Sequence, residues 1–328
     1  MINFYLNILR KSLLFILIMA ALIFQVCSPG DNSIERSDNA YRVNINLSGS
    51  LQNPAWSPDG KCLLFTRFRN GYNQEPADLY IINLDTLEIR ELVSQGDANV
   101  NLPGSSWNSL KSIITFSSSR DPHDEIYIIA SAGKTGDEQK VTERAADQAY
   151  EPSFSPDGNW IVFESHLIDV EGNGKIVKKD LTQLITAGFS DLTTPAGNGD
   201  CRQPNWSPDG NLILYQRLSG GKWDIWVMNA DGTGKKQVTT GEGDNTDASF
   251  SPDGLNIVYS GDNSELEYAN LYIIPVGGGP AQRLTFNNGG YDGAPSWSPD
   301  GTKVAFESCS GEPDNSSGTT IWIIDNDD

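Results

Sequence analysis

Along most of the chain the apolar residues fall in short β-prone runs rather than at helical spacing. CLLFT, IITFS, WIVFE and KVAFE carry the aromatic residues Phe65, Phe116, Phe163 and Phe306, and Tyr215 and Tyr259 stand at the matching places elsewhere. A second kind of run follows in most cases, as LYIIN, IYIIA, IWVMN, LYIIP and IWIID, and then a third, as RELV, QKVT, KQVT or QRLT. A polar corner precedes the first kind. It reads WSPDG at Trp56–Gly60, Trp206–Gly210 and Trp297–Gly301, and FSPDG at Phe154–Gly158 and Phe250–Gly254. Ser-Pro-Asp-Gly suits a type I turn, with proline fixing φ at the second position and glycine closing it. Such a turn joins two antiparallel strands through a bulge.

The aromatic residues opening the corners are Trp56, Trp107, Phe154, Trp206, Phe250 and Trp297, spaced 44 to 52 residues apart. That period marks one supersecondary unit copied along the chain. The second copy is degenerate, WNSLK in place of WSPDG, but its downstream pattern is intact. Four short strands per copy in meander order make a propeller blade. The sixth copy ends after its third strand, while an orphan run, YRVNINL (Tyr41–Leu47), precedes the first anchor. The prediction is an all-β fold: a six-bladed β-propeller of four-stranded antiparallel blades, closed by an N-terminal strand placed beside Ile321–Ile324 in the last blade.

The pattern P-x-W-S-P-D-G, an aliphatic–aromatic strand, I/L-Y/W-aliphatic and a terminal L/V-T resembles the TolB-type propeller repeat over Tyr41–Asp325. The resemblance implies the propeller fold and a periplasmic, non-catalytic, protein-binding role; the family's TolB protein binds a peptidoglycan-associated lipoprotein in an envelope-spanning complex. TolB also carries an α/β domain ahead of its propeller, for which the dozen polar residues before Tyr41 leave no room. The resemblance therefore implies fold and compartment more directly than that particular partner.

The N-terminus changes the picture of location. Arg10 and Lys11 precede the apolar run Leu13–Val26, which suits the core of a secretory signal. The expected organisation is a signal peptide at 1–27, a flexible linker at 28–40 and the propeller at 41–328. Cys27 ends the apolar run as in a bacterial lipoprotein signal, which implies a lipid tether on that residue, although Val26 stands where a small residue is usual. The formal net charge of −20 argues against nucleic acid, whose phosphates need clustered Lys and Arg. Cys62, Cys201 and Cys309 form no CxxC pair, so a zinc or redox motif is not supported.

Blade faces are consumed by stacking, so binding is expected at loops and inner-strand ends around the central channel. Three residues before each anchor stand Asn53, Gly104, Glu151, Gln203, Asp247 and Ala294, with Tyr150, Arg202, Asn245 and Asp292 nearby. Polar groups repeated at one radial position form a candidate rim for a peptide segment, sugar or cation. A second candidate is DVEGNGKIVKKD, which places Asp169, Glu171, Asn173 and Asp180 at calcium-loop spacing, with Gly174 at the sharp turn. Against it, the preceding WIVFESHL reads as strand, and the final ligand is Asp rather than a bidentate Glu; a glycine-rich hairpin is the preferred reading. With only His123 and His166 and no G-x-S-x-G elbow, a propeller-gated hydrolase is not expected. A lactonase or lyase using an acid trio such as Glu151, Asp247 and Asp292 with a cation is the rival from another class. The resulting expectation is a monomeric, exported protein-binding scaffold without catalysis or required cofactor, with an envelope protein or peptide segment as partner; a glycan-binding propeller is the further alternative.

Overall fold

The computed structural model describes residues 36–101, 107, 108, 110–262, 266–314 and 318–326. The expected signal 1–27 with Cys27, most of the 28–40 linker, and Gly104 lie outside the described residues.

The strands group into six separate antiparallel sheets. Blade 1 runs Ser50–Trp56, Cys62–Phe68, Ala77–Asn83 and Ile89–Val93, and blades 3, 4 and 5 repeat this meander. In blade 2 the first strand is in two pieces, Val100–Asn101 and Trp107–Asn108, both paired with Ile113–Ser118. The first strands of successive blades touch one another around the ring, and that of blade 1 packs on blade 6. They are therefore the innermost strands. Among the described residues the sole α-helix is the single turn Pro195–Asn198.

Closure follows the expected route with a shorter ladder. Tyr41 and Arg42 pair with Ile323 and Trp322 at the edge of blade 6, and the Val43 N–H donates to the Ile321 carbonyl at 2.9 Å. Beyond that point the segment leaves the sheet, because Val43 and Ile45 turn into the cluster formed by Leu51, Trp56, Phe65, Ala305 and Ile321 between blades 6 and 1. The Leu51 N–H donates to the Thr319 carbonyl, adding a second stitch across the seam.

The +9 aromatics form the centre of each wedge. Phe65, Phe116, Phe163, Tyr215 and Phe306 have no exposed surface and Tyr259 has 5%; each contributes roughly 1.5–3 kcal/mol by burial. The corners are hydrogen-bonded alike. In each, the serine Oγ donates to the aspartate Oδ1 at 2.5–2.6 Å, and that oxygen accepts the backbone N–H two residues on. Gly60, Gly210, Gly254 and Gly301 hold positive φ, and each lies against the proline of the preceding corner: Pro299, Pro156, Pro208 and Pro252. In the degenerate copy Asn108 carries the corner's side-chain bonds to its own turn among the described residues. Its Oδ1 accepts the N–H groups of Leu110 and Lys111, and its Nδ2 donates to the Ser155 carbonyl of blade 3.

Candidate binding site at the channel mouth

The −3 residues share one backbone conformation. Asn53, Glu151, Gln203, Asp247 and Ala294 have φ between 47° and 52°, in the left-handed region. Each marks a register shift in the pairing of the first and second strands. Non-glycine residues rarely adopt this conformation, and bulges of this kind re-aim a strand's groups. Here the bulge turns the backbone N–H across the blade boundary. The Asn53 N–H donates to Glu307 Oε2 at 3.1 Å, and the Gln203 N–H to Glu164 Oε2 at 3.0 Å. The Asp247 N–H donates to Gln203 Oε1 and, more distantly, to Gln216 Oε1.

The acceptors Glu164, Gln216 and Glu307 follow the +9 aromatic directly, and sequence reasoning passed over them. A signal was present: Thr66, Ser117, Glu164, Gln216, Ser260 and Glu307 make an unbroken polar series at anchor +10. The two series mesh around the axis. Gln203 Nε2 donates to Asp247 Oδ1 at 2.8 Å and reaches Glu151 Oε1 at 3.4 Å, while Asn53 Nδ2 donates to Asn101 Oδ1.

Burial dominates the electrostatics of this girdle. It pushes the Glu307 carboxyl up to about 8 and raises Asp247, with hydrogen bonds from Asn53 and Gln203 opposing the respective shifts. Glu151 is pushed well above the carboxylate range, first by desolvation and then by the Glu164 and Asp247 charges. One of its oxygens, Oε2, is buried without a hydrogen-bond partner.

Toward the mouth the lining turns aromatic. Tyr72 from the blade 1 hairpin loop meets Tyr291 edge-on at 6.4 Å between ring centroids. Tyr291 lies back over Gly293, where any Cβ would overlap its hydroxyl. On the other side Tyr150 packs edge-on against His166, whose Nε2 is 2.9 Å from Glu164 Oε1. Asp124, hydrogen-bonded to Tyr150, is raised to about 6, mainly by burial. Arg202 pairs with Asp200 at 2.8 Å and lies over the Trp223 ring.

The structure thus brings Asn53, Tyr150, Glu151, Gln203 and Asp247 to the channel, with Arg202 beside them. It does not bring Asn245 or Asp292. Asn245 is buried and donates to Asp224 Oδ1, and Asp292 is fully buried in an ion pair with Arg36. The bulge at −3 resets the strand's two-residue alternation, so the −5 positions face the blade boundary with Leu51, Ala149 and Cys201. The trio Glu151, Asp247 and Asp292 is therefore not assembled.

The calcium-loop spacing is also not realised as a loop. Lys175–Asp180 is the third strand of blade 3, with Asp180 opposite Trp160 at the far end of the hairpin from Asp169 and Glu171. Asn173 faces inward, its Oδ1 accepting the Leu167 N–H at 2.7 Å. The run after Asp180 forms a turn and the short strand Phe189–Asp191 rather than an exiting helix. Among the described residues no three His, Cys, Asp or Glu side chains stand together as a metal-ligand set.

The family model for the TolB beta propeller domain matches residues 36–193 and 180–316. The chain belongs to the TolB β-propeller family. The Tol-Pal system protein TolB of Francisella tularensis subsp. mediasiatica is 35% identical over 201 residues, 61% of this chain and 43% of that protein. The chain thus spans less than half the length of the TolB sequences it matches. The putative TolB of Agrobacterium tumefaciens superposes with a TM-score of 0.61 at 18% identity, covering 88% of this chain and 96% of that one. An oligogalacturonate lyase solved in complex with manganese has the same fold, with a TM-score of 0.55 at 13% identity and coverage of 88% and 95%.

Proposed function

We propose that this TolB-family propeller is a non-catalytic protein-binding scaffold of the bacterial cell envelope that receives a partner's peptide segment at the channel mouth. The observation that carries this reading is the girdle itself. Three of its four carboxyl groups are engaged by protein donors, Glu307 by Asn53, Glu164 by Gln203 and His166, and Asp247 by Gln203, and Glu151 alone keeps a buried oxygen without one. Such a lining suits recognition by shape and charge better than an open ligand set for a catalytic cation. The tyrosine collar over a carboxyl-lined channel favours a segment carrying Lys or Arg, which pack on rings and donate hydrogen bonds. The relationship to Tol-Pal system TolB proteins supports an envelope protein as the partner and the periplasm as the compartment. The tether on Cys27 belongs to the same proposal, and the mass of the mature N-terminus tests it.

The lyase reading has fold likeness behind it and a specific counter-test. Immobilised protein is exposed to envelope extract beside a Glu151→Gln/Asp247→Asn variant, and both are assayed on lactones and oligogalacturonate with Ca²⁺ or Mn²⁺. The scaffold reading expects a discrete protein held by the parent and lost from the variant, with no turnover. Turnover abolished by Asp247→Ala, or a polysaccharide as the captured species, replaces it.

A further inference from the structure

The segment ahead of the first strand is bound to the propeller in an unusually specific way. The Arg36 guanidinium, its side chain 5% exposed, grips both oxygens of Asp292 at 2.8 and 3.0 Å and both oxygens of Asp38 at 2.9 Å. It also donates to Ser308 Oγ at 3.3 Å and lies between the Phe306 and Trp322 rings, 5.2 and 5.1 Å from their centroids. The backbone joins in: the Ser37 N–H donates to the Phe286 carbonyl, and the Phe286 N–H to Asp38 Oδ2 at 2.6 Å. These contacts bridge the end of blade 5 and the body of blade 6.

The other blades show what Arg36 replaces. Two residues after the +9 aromatic, blades 1 and 4 carry Arg67 and Arg217, lying over Tyr80 and Trp226. Blades 2, 3 and 6 have Ser118, Ser165 and Ser308 there. Arg120, four residues past Phe116, serves blade 2, and Arg144, from the connection ahead of the first strand of blade 3, lies over the Phe163 ring, while blade 5 has Gly261 at the compared place. In blade 6 the arginine comes from outside the repeat. Asp292, with no exposed surface, otherwise has the neutral Asn287 amide as its side-chain donor.

We propose that the boundary of blades 5 and 6 is a binding site for an extended Arg-x-Asp segment, filled in this chain by its own residues Arg36–Asp38. The recognition elements are distinct. Asp292, Ser308 and the two rings read a planar guanidinium, for which Lys is no substitute. The Phe286 carbonyl and N–H read an extended backbone followed by a carboxylate, in the manner of strand addition. Residues 36–38 are thereby held one blade boundary away from the seam where the ring closes.

The test uses the full chain carrying Arg36→Ala, with thermal unfolding as the readout. Removing one partner of a buried ion pair is expected to lower Tm by about 5–10 °C. Added in millimolar excess, the peptide Ile-Glu-Arg-Ser-Asp-Asn-Ala, copied from residues 34–40, restores most of that loss. The same peptide with Lys for Arg does not. Should Arg36→Ala fail to fold, Arg36→Lys retains a charge without the fork and is expected to show a smaller loss and the same peptide-specific rescue. An unchanged Tm in Arg36→Ala, a loss that the peptide leaves unaltered, or equal rescue by the Lys peptide overturns the site.

Discussion

The two ends of the same channel are built on opposite principles. At the corner end Ser-Pro-Asp-Gly repeats with near-identical hydrogen bonds, and four of the five glycines rest on the neighbouring proline, Gly158 resting on Asn108 and Lys111 of the degenerate corner. At the mouth end the blades contribute unlike side chains: Tyr150 and Arg202 share one strand position, four residues before their anchors, and Tyr72, Asp124 and Tyr291 come from other positions and loops. Repetition serves closure, because six wedges must meet at the same angle. Departure from repetition makes a surface of unlike side chains, the kind the proposed scaffold role needs. Stability is therefore expected to concentrate at the corner end and recognition at the mouth.

The largest separation between the ends is expected from aromatic deletion. Trp206, 9% exposed, packs with Val162, Ile176, Ile213 and Met228 across blades 3 and 4. Trp206→Ala is expected to cost about 3–5 kcal/mol in denaturant unfolding. Tyr291→Ala removes a ring that borders the channel and is expected to cost under about 2 kcal/mol while abolishing partner capture. If Tyr291→Ala proves the more destabilising, the mouth is a structural plug rather than a recognition surface.

A smaller effect, with opposite signs at the two ends, comes from pH. The corner aspartates are depressed, Asp300 to about 2, first by the Ser298 hydroxyl and then by backbone N–H donors. A depressed carboxyl stabilises above its unfolded value, near 3.9, and that contribution disappears as pH falls toward 2. The girdle acids behave inversely. Glu307 titrates at about 8 in the fold, above an unfolded value of about 4.3. Its contribution is complete below that lower value and is lost as pH rises to 8. Stability should thus decline on the acid side through the corners and between about pH 5 and 8 through the girdle. Glu307→Gln keeps an acceptor for the Asn53 N–H and is expected to flatten the second decline by roughly 1–3 kcal/mol, read as Tm against pH. A variant profile parallel to the parent's shows that Glu307 ionises freely in the fold.

The same contrast explains what the sequence made legible. The corners and the +9 aromatics are local signals repeated by the chain, and the structure places them as expected; the closing run Tyr41–Leu47 joins the last blade only through Tyr41–Val43. The mouth was only half legible. Asn53, Glu151, Gln203 and Asp247 announced themselves by period, but Asn245 and Asp292, added because they stand nearby in sequence, share the channel only if the strand alternation runs unbroken. The bulge breaks it, and no residue type gives warning, since Asn, Glu, Gln, Asp and Ala all occupy the left-handed position. Tyr72 and Arg36 come from outside any repeat, so periodicity has nothing to say about them. The calcium spacing failed for a related reason: Asp169 and Asp180 are close in sequence, but half of the stretch is spent on an extended strand.

The finest test concerns the one corner that departs from the pattern. In blade 4 the Ser207 hydroxyl donates to Asp209 Oδ1 and accepts the Leu212 N–H, so the corner is held by several groups at once. Ser207→Ala removes one member while the turn hydrogen bond from Gly210 to the Ser207 carbonyl persists; about 1 kcal/mol is expected. In blade 2 the single side chain Asn108, 2% exposed, takes two N–H donors of its own turn and reaches the Ser155 carbonyl of the next blade. Asn108→Ala removes the acceptor of both turn N–H groups and one donor to the Ser155 carbonyl, which keeps the Gly158 N–H, and is expected to cost about 1–2 kcal/mol, somewhat more than the serine change. Unfolding midpoints in urea rank the pair. A greater loss from Ser207→Ala means that the degenerate corner is held by the blade boundary and that Asn108 merely fits it.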